Sequence, residues 1–203
     1  MTLQVYGPRA QQFVDLLSEC CGLTLVLTGD VVSISPDTLI NPFESETLQN
    51  LVGEIIDSAN VVRIAAFSSA PVAGFFGDWF HANPGVQRPR RSVFVTDLTR
   101  VAGMSTILVR AVMGHILREY FGAARPPGQQ PGQAFSHYHV PAIETEARIA
   151  SDLTARPIWT GRARPWEHTY GTINVRSYGP ALKFQLVMNG AGSLVRVIQP
   201  AGL

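Results

Sequence analysis

The sequence predicts an α+β fold, and three observations predict it. A helix-periodic segment of about Ser105 to Phe121 lies mid-chain. Near the N-terminus two apolar runs of strand length, Leu23–Leu27 and Val31–Ile34, flank the turn Thr28-Gly29-Asp30. The tail from Thr169 to Ile198 reads as a β-meander. Its strands Ile173–Ser177, Leu182–Met188 and Leu194–Ile198 are parted by the turns Tyr178-Gly179-Pro180 and Asn189-Gly190-Ala191-Gly192.

Taken in order, Leu3–Tyr6 reads as a short strand, and Gly7-Pro8 opens a helix whose Phe13, Leu16 and Leu17 recur at helical spacing up to Cys21. Gly22 stops that helix. Beyond the hairpin, Pro36 and Pro42 break a loop. A second helix is expected from about Ser45 to Ser58, capped by Ser45, with Leu48, Leu51, Val52, Ile55 and Ile56 on its apolar face. Val61–Phe67 reads as a buried strand. Residues 68–91, rich in Gly, Pro and aromatics and closed by Arg88, Arg90 and Arg91, read as a functional loop or covering flap. Ser92–Leu98 reads as a strand, and 123–135 as a flexible loop. A further helix is expected from Pro141, in its first turn, to about Leu153, followed by a linker at Pro157–Pro165.

The length of 203 residues fits one domain, 1–203, assembled from an N-terminal part (1–67), a pair of helices with their strand (92–153) and the C-terminal strands (169–198). Apolar residues make up 46%, enough for a packed core. A formal net charge of +1 gives no electrostatic footprint for nucleic acid. No apolar run reaches the roughly 18–20 residues that span a bilayer. The N-terminus has no basic stretch ahead of an apolar core, so the expected location is cytoplasmic, or outside the cell by a signal-peptide-independent route. Cys20 and Cys21 are adjacent, rarely bridge each other, and read as structural.

The chemistry concentrates on the mid-chain helix. Leu108, Val112, His115 and Glu119 share one face at i, i+4, i+7 and i+11. An imidazole and a carboxylate one turn apart on an apolar stripe each need a partner where they are desolvated. A divalent metal such as zinc is one such partner, and a direct His–Glu hydrogen bond is the other. Downstream, His137, His139, Glu144 and Glu146 supply two more imidazoles and two more carboxylates at the start of the next helix. They could complete a ligand set. Alternatively, the glutamates only complement the helix dipole and the histidines lie in an exposed loop. Asp97 could orient a histidine or cap a turn. His81, beside Trp79 and Phe80, could close over a cleft or simply pack, and His168 reads as a surface residue. P-loop, G-x-G-x-x-G, G-x-S-x-G and C-x-x-C motifs are absent.

A strand followed by Ala111–Tyr120, a polar loop and His139-x-Pro141-Ala142-Ile143-x-x-Glu146-x-Arg148-Ile149 resembles the zincin metallopeptidases, particularly the small effector-type peptidases that are bacterial secreted toxins. The resemblance covers roughly 92–153. It implies a zincin-like mixed or antiparallel sheet with a metal-bearing central helix. It also implies zinc or another divalent metal held by His115 and Glu119 with Glu146 as the third ligand, His139 or Glu144 being substitutes for it, Asp97, His137 and Arg148 as supporting residues, and a peptide or protein substrate. The family's H-E-x-x-H reads here as His115-Ile116-Leu117-Arg118-Glu119. Isoleucine cannot be the general base toward a metal-bound water, so Glu144 or Glu146 would have to serve. The two expectations are thus a degenerate zincin-like metal-binding domain with hydrolase chemistry, and an inactive zincin scaffold used for binding, with His115 and Glu119 paired in the core.

Overall fold

The computed structural model describes residues 3–41, 43–68, 77–78, 92–124, 135–190 and 194–203. The expected flap at 68–91, His81 and the arginines that close it fall almost wholly outside the described residues. The α+β class holds: among the described residues five helices accompany one mixed and one antiparallel sheet.

The mixed sheet is built from β1 (Leu3–Tyr6), β2 (Leu25–Thr28), β3 (Val31–Ile34), β4 (Val62–Phe67), β5 (Gly77–Asp78) and β6 (Ser92–Phe94), in the order β2-β3-β1-β4-β6-β5. Its centre is parallel, with β4 between β1 and β6. The predicted hairpin β2–β3 adds antiparallel to β1. Central strands buried on both faces carry continuous apolar runs, and Val62, Ile64, Ala65 and Ala66 are all buried.

Helix α1 (Ala10–Cys21) ends as expected at Gly22, which adopts the left-handed conformation at φ 67°. Both cysteines lie inside the core, where burial pushes the Cys20 thiol up to about 12 and the Cys21 thiol up to about 11. The reactive form is the thiolate. Iodoacetamide at pH 8 is therefore expected to leave both thiols of the native protein unmodified and to alkylate both on unfolding. A mass increment on the folded protein would contradict this.

Helix α2 (Glu46–Asp57) is capped by Ser45, whose hydroxyl accepts from the Leu48 amide at 3.2 Å and donates to Asp152 at 2.6 Å. That aspartate belongs to α5 (Phe135–Thr154), so the cap also ties two helices together.

Two boundaries differ from expectation. The strand expected over Ser92–Leu98 stops at Phe94, and the chain continues as α3 (Val95–Met104). Val95, Leu98 and Val101 bury one helical face, a period the alternating Val-Phe-Val-Thr start conceals. The helix expected from Pro141 begins at Phe135, with Pro141 in its interior. Proline removes one hydrogen bond there. The helix persists because Ala142, Ile143, Ala147, Ile149 and Ala150 are buried, so tertiary packing overrides propensity.

Helix α4 (Thr106–Gly122) is buried almost all round, from Leu108 to Tyr120, as suits a central helix. It packs closely on α5. A Cβ on Gly114 would come within 2.0 Å of Ile149 Cδ1, so the glycine sets how near the two helices approach.

The C-terminal sheet has four strands rather than three: β7 (Trp166–Tyr170), β8 (Ile173–Gly179), β9 (Leu182–Met188) and β10 (Leu194–Ile198), in the order β10-β9-β8-β7, all antiparallel. The expected linker before it contains a short 3₁₀ turn at Gly161–Ala163. Among the described residues no helix is long and apolar enough to cross a membrane.

Candidate functional site

Helices α4 and α5 face each other through polar side chains. On α4, His115 and Glu119 stand one turn apart; on α5, His139 and Glu146 are seven residues apart, which returns to nearly the same face. His115, Glu119 and Glu146 are 7%, 4% and 0% exposed, so each must find a partner within the protein.

They find one another. His115 donates through Nδ1 to Glu146 Oε2 at 2.8 Å, and its Nε2 faces Glu119 Oε2 at 3.8 Å. His139 donates through Nδ1 to Glu119 Oε1 at 3.0 Å. The two imidazole rings meet edge-on, 5.0 Å apart.

The remaining members come from the C-terminal sheet. Along β8, Asn174, Arg176 and Tyr178 alternate onto one face, and all are buried. Arg176 donates to Glu146 Oε1 at 2.6 Å, and the Tyr178 hydroxyl donates to the same oxygen. Directly opposite Arg176, on β7, stands Glu167. Its Oε1 accepts from Arg176 Nη2 at 2.9 Å and from Asn174 Nδ2 at 2.8 Å, while its Oε2 lies 4.0 Å from His139 Nε2.

Electrostatics follow from this wiring. Burial alone would raise the Glu146 carboxyl, but the Arg176 charge and the bonds from His115 and Tyr178 hold it down to about 2. For His115, burial opposes the charged ring, yet the bond to Glu146 and the charges of Glu146 and Glu119 outweigh it and raise its pKa. Burial lifts the Tyr178 phenol well above its ordinary value, so it stays a donor. Three carboxylates against one guanidinium leave the cluster short of two positive charges. One divalent ion, or a proton on each imidazole, would make up that difference.

Ligand atoms of His115, His139 and Glu167 lie within 4.8 Å of one another. A tetrahedral zinc ion with bonds of about 2.0–2.1 Å needs donors about 3.4 Å apart, so the widest pair would have to draw in by up to about 1.4 Å. The cluster is graded in access. Glu146 is sealed, whereas the side chains of His139 and Glu167 are 25% and 13% exposed.

The fold therefore brings together His115, Glu119, His139 and Glu146, the four residues expected to hold metal. It gives Glu146 three protein donors, which take up both of its oxygens. Glu144, two residues before Glu146 and so about 200° round the helix, points elsewhere. It faces Arg164 at 3.8 Å, in a shallow cleft it lines with the exposed Arg148 and with Trp159. Asp97 sits in the first turn of α3 and faces Arg100 at 3.5 Å. His137 falls in α5, and its side chain lies outside the described residues. His168 is exposed on β7, its ring tilted against that of Tyr170. Ile116, beside His115, is buried in the hydrophobic core.

Sequence reasoning missed Glu167, Asn174, Arg176 and Tyr178. One signal was present: an arginine two residues from a tyrosine in a strand otherwise fit for burial calls for a buried anion.

Comparison with known proteins returns no matching family model, no matching curated protein and no matching solved structure.

Proposed function

We propose that this protein is a zincin-like domain that binds one divalent transition-metal ion, zinc being the natural candidate, through His115, His139 and Glu167. One observation carries the reading. Each of the three side chains is held at one atom by a neighbouring group, and a ligand atom of each lies within 4.8 Å of those of the other two. Glu146 grips His115 by Nδ1, Glu119 grips His139 by Nδ1, and Arg176 with Asn174 grips Glu167 by Oε1. Carboxylates and other groups that hold the far atom of a metal ligand fix its orientation and raise its affinity for the ion. Glu146 is in this reading an orienting group rather than a ligand.

The metal would supply Lewis acidity to a peptide or protein substrate, or to a water in the open position. Glu146 has its oxygens engaged and Glu144 points away, so neither serves as the base. Glu119, within reach of both imidazoles, is the carboxylate that could take a proton there.

The buried Ile116 favours a second reading, in which the same cluster is closed by protons and the domain binds a partner without catalysis. Equilibrium dialysis against zinc, with metal quantified by mass spectrometry, separates the two. One ion per chain is expected, reduced strongly in His115→Ala and Glu167→Ala. Stoichiometry near zero for the wild-type chain leaves the second reading.

A further inference from the structure

Building on that metal-site reading, we propose that Asn174 is a positioning residue: it locks the Glu167 carboxylate so that one oxygen stays turned toward the ion. Glu167 needs such a lock. It comes from β7, an edge strand whose Trp166, His168, Thr169 and Tyr170 are exposed, so little packing fixes its rotamer. Asn174 is 6% exposed and spends its whole amide on the task. Its Nδ2 donates to Glu167 Oε1 at 2.8 Å and to Thr169 Oγ1 at 3.0 Å, and its Oδ1 accepts from Arg176 Nε at 3.1 Å. The last bond turns the Arg176 fork so that its Nη2 reaches the same Glu167 oxygen. With Oε1 accepting from both, Oε2 remains on the side of His139.

No atom of Asn174 belongs to the proposed ligand set, so it acts through Glu167. Substitutions of residues that orient a metal ligand typically weaken metal binding by about 10- to 100-fold.

The experiment titrates zinc into the wild-type chain, Asn174→Leu and Asn174→Ala, and repeats it with cobalt(II), whose visible spectrum reports coordination. Leucine keeps the volume and removes the amide. Alanine serves should the leucine variant fail to fold, and each is titrated only with a native far-UV circular dichroism spectrum. The expected result is zinc affinity lowered by about 10-fold or more, with the cobalt spectrum shifted toward that of Glu167→Ala. A merely structural role would lower the melting temperature and leave both readouts unchanged. Wild-type binding with unaltered affinity and spectrum in a folded variant would overturn the role of Asn174 and leave the metal site standing. Absence of binding by the wild-type chain would instead remove the metal site itself, and the positioning role with it.

Discussion

Replacing Arg176 with methionine is expected to destabilise the protein by about 3–5 kcal/mol, the usual effect of removing one partner of a buried ion pair. The loss comes from Glu146, fully enclosed and left ionised with only neutral donors and His115 around it. Urea unfolding followed by circular dichroism would show a lower midpoint with an unchanged slope. The double variant Arg176→Met/Glu146→Gln should recover part of the loss, because the fully enclosed Glu146 charge is then gone, while Glu167 still lacks its guanidinium. The same pair sets the acid limit of stability. The Glu146 carboxyl is lower in the folded chain, about 2 against 4.5, so its contribution is complete above pH 4.5 and fades as pH falls toward 2. A single variant that unfolds within 1 kcal/mol of wild type would mean that Glu146 is not a buried anion.

Zinc should stabilise the chain. An ion that binds only the folded state at 100 times its Kd contributes about 3 kcal/mol. For a chain of this size that raises the melting temperature by roughly 5–11 °C. The shift should vanish with a chelator and in His115→Ala. An identical melting curve with and without saturating zinc would exclude a native-state ligand.

How much of this was legible in the sequence depends on the range over which each signal acts. His115 with Glu119 declare themselves through helical periodicity, which is local, and His139 and Glu146 as a cluster of imidazoles and carboxylates at the start of the next helix. The α4–α5 pairing followed from two apolar helices in succession. Glu167 was invisible for two reasons. Its strand has four exposed side chains and no apolar alternation, so β7 was not read as a strand; and its partner Arg176 is recruited through strand register, which no single segment encodes. Pro141 misled in the opposite sense, because packing against α4 outweighs a local breaker. Ser92–Leu98 illustrates the ambiguity of short apolar runs, where three residues of strand pass into helix without a break in hydrophobicity.

The reach of Arg176 into the helix pair has a consequence for how the chain is made. Glu146 is synthesised first, and its counter-charge follows 30 residues later. At ordinary translation speeds that interval is roughly 2–6 s. Throughout it α4 and α5 can form, yet closing over Glu146 as an anion is costly while it has His115 but not the guanidinium beside it. The nascent helices are thereby expected to keep that seam open to water until β8 arrives. Final sealing of the core is thereby reserved for the C-terminal meander, and a chain cut short before Arg176 is left with an open seam that quality-control proteases can recognise.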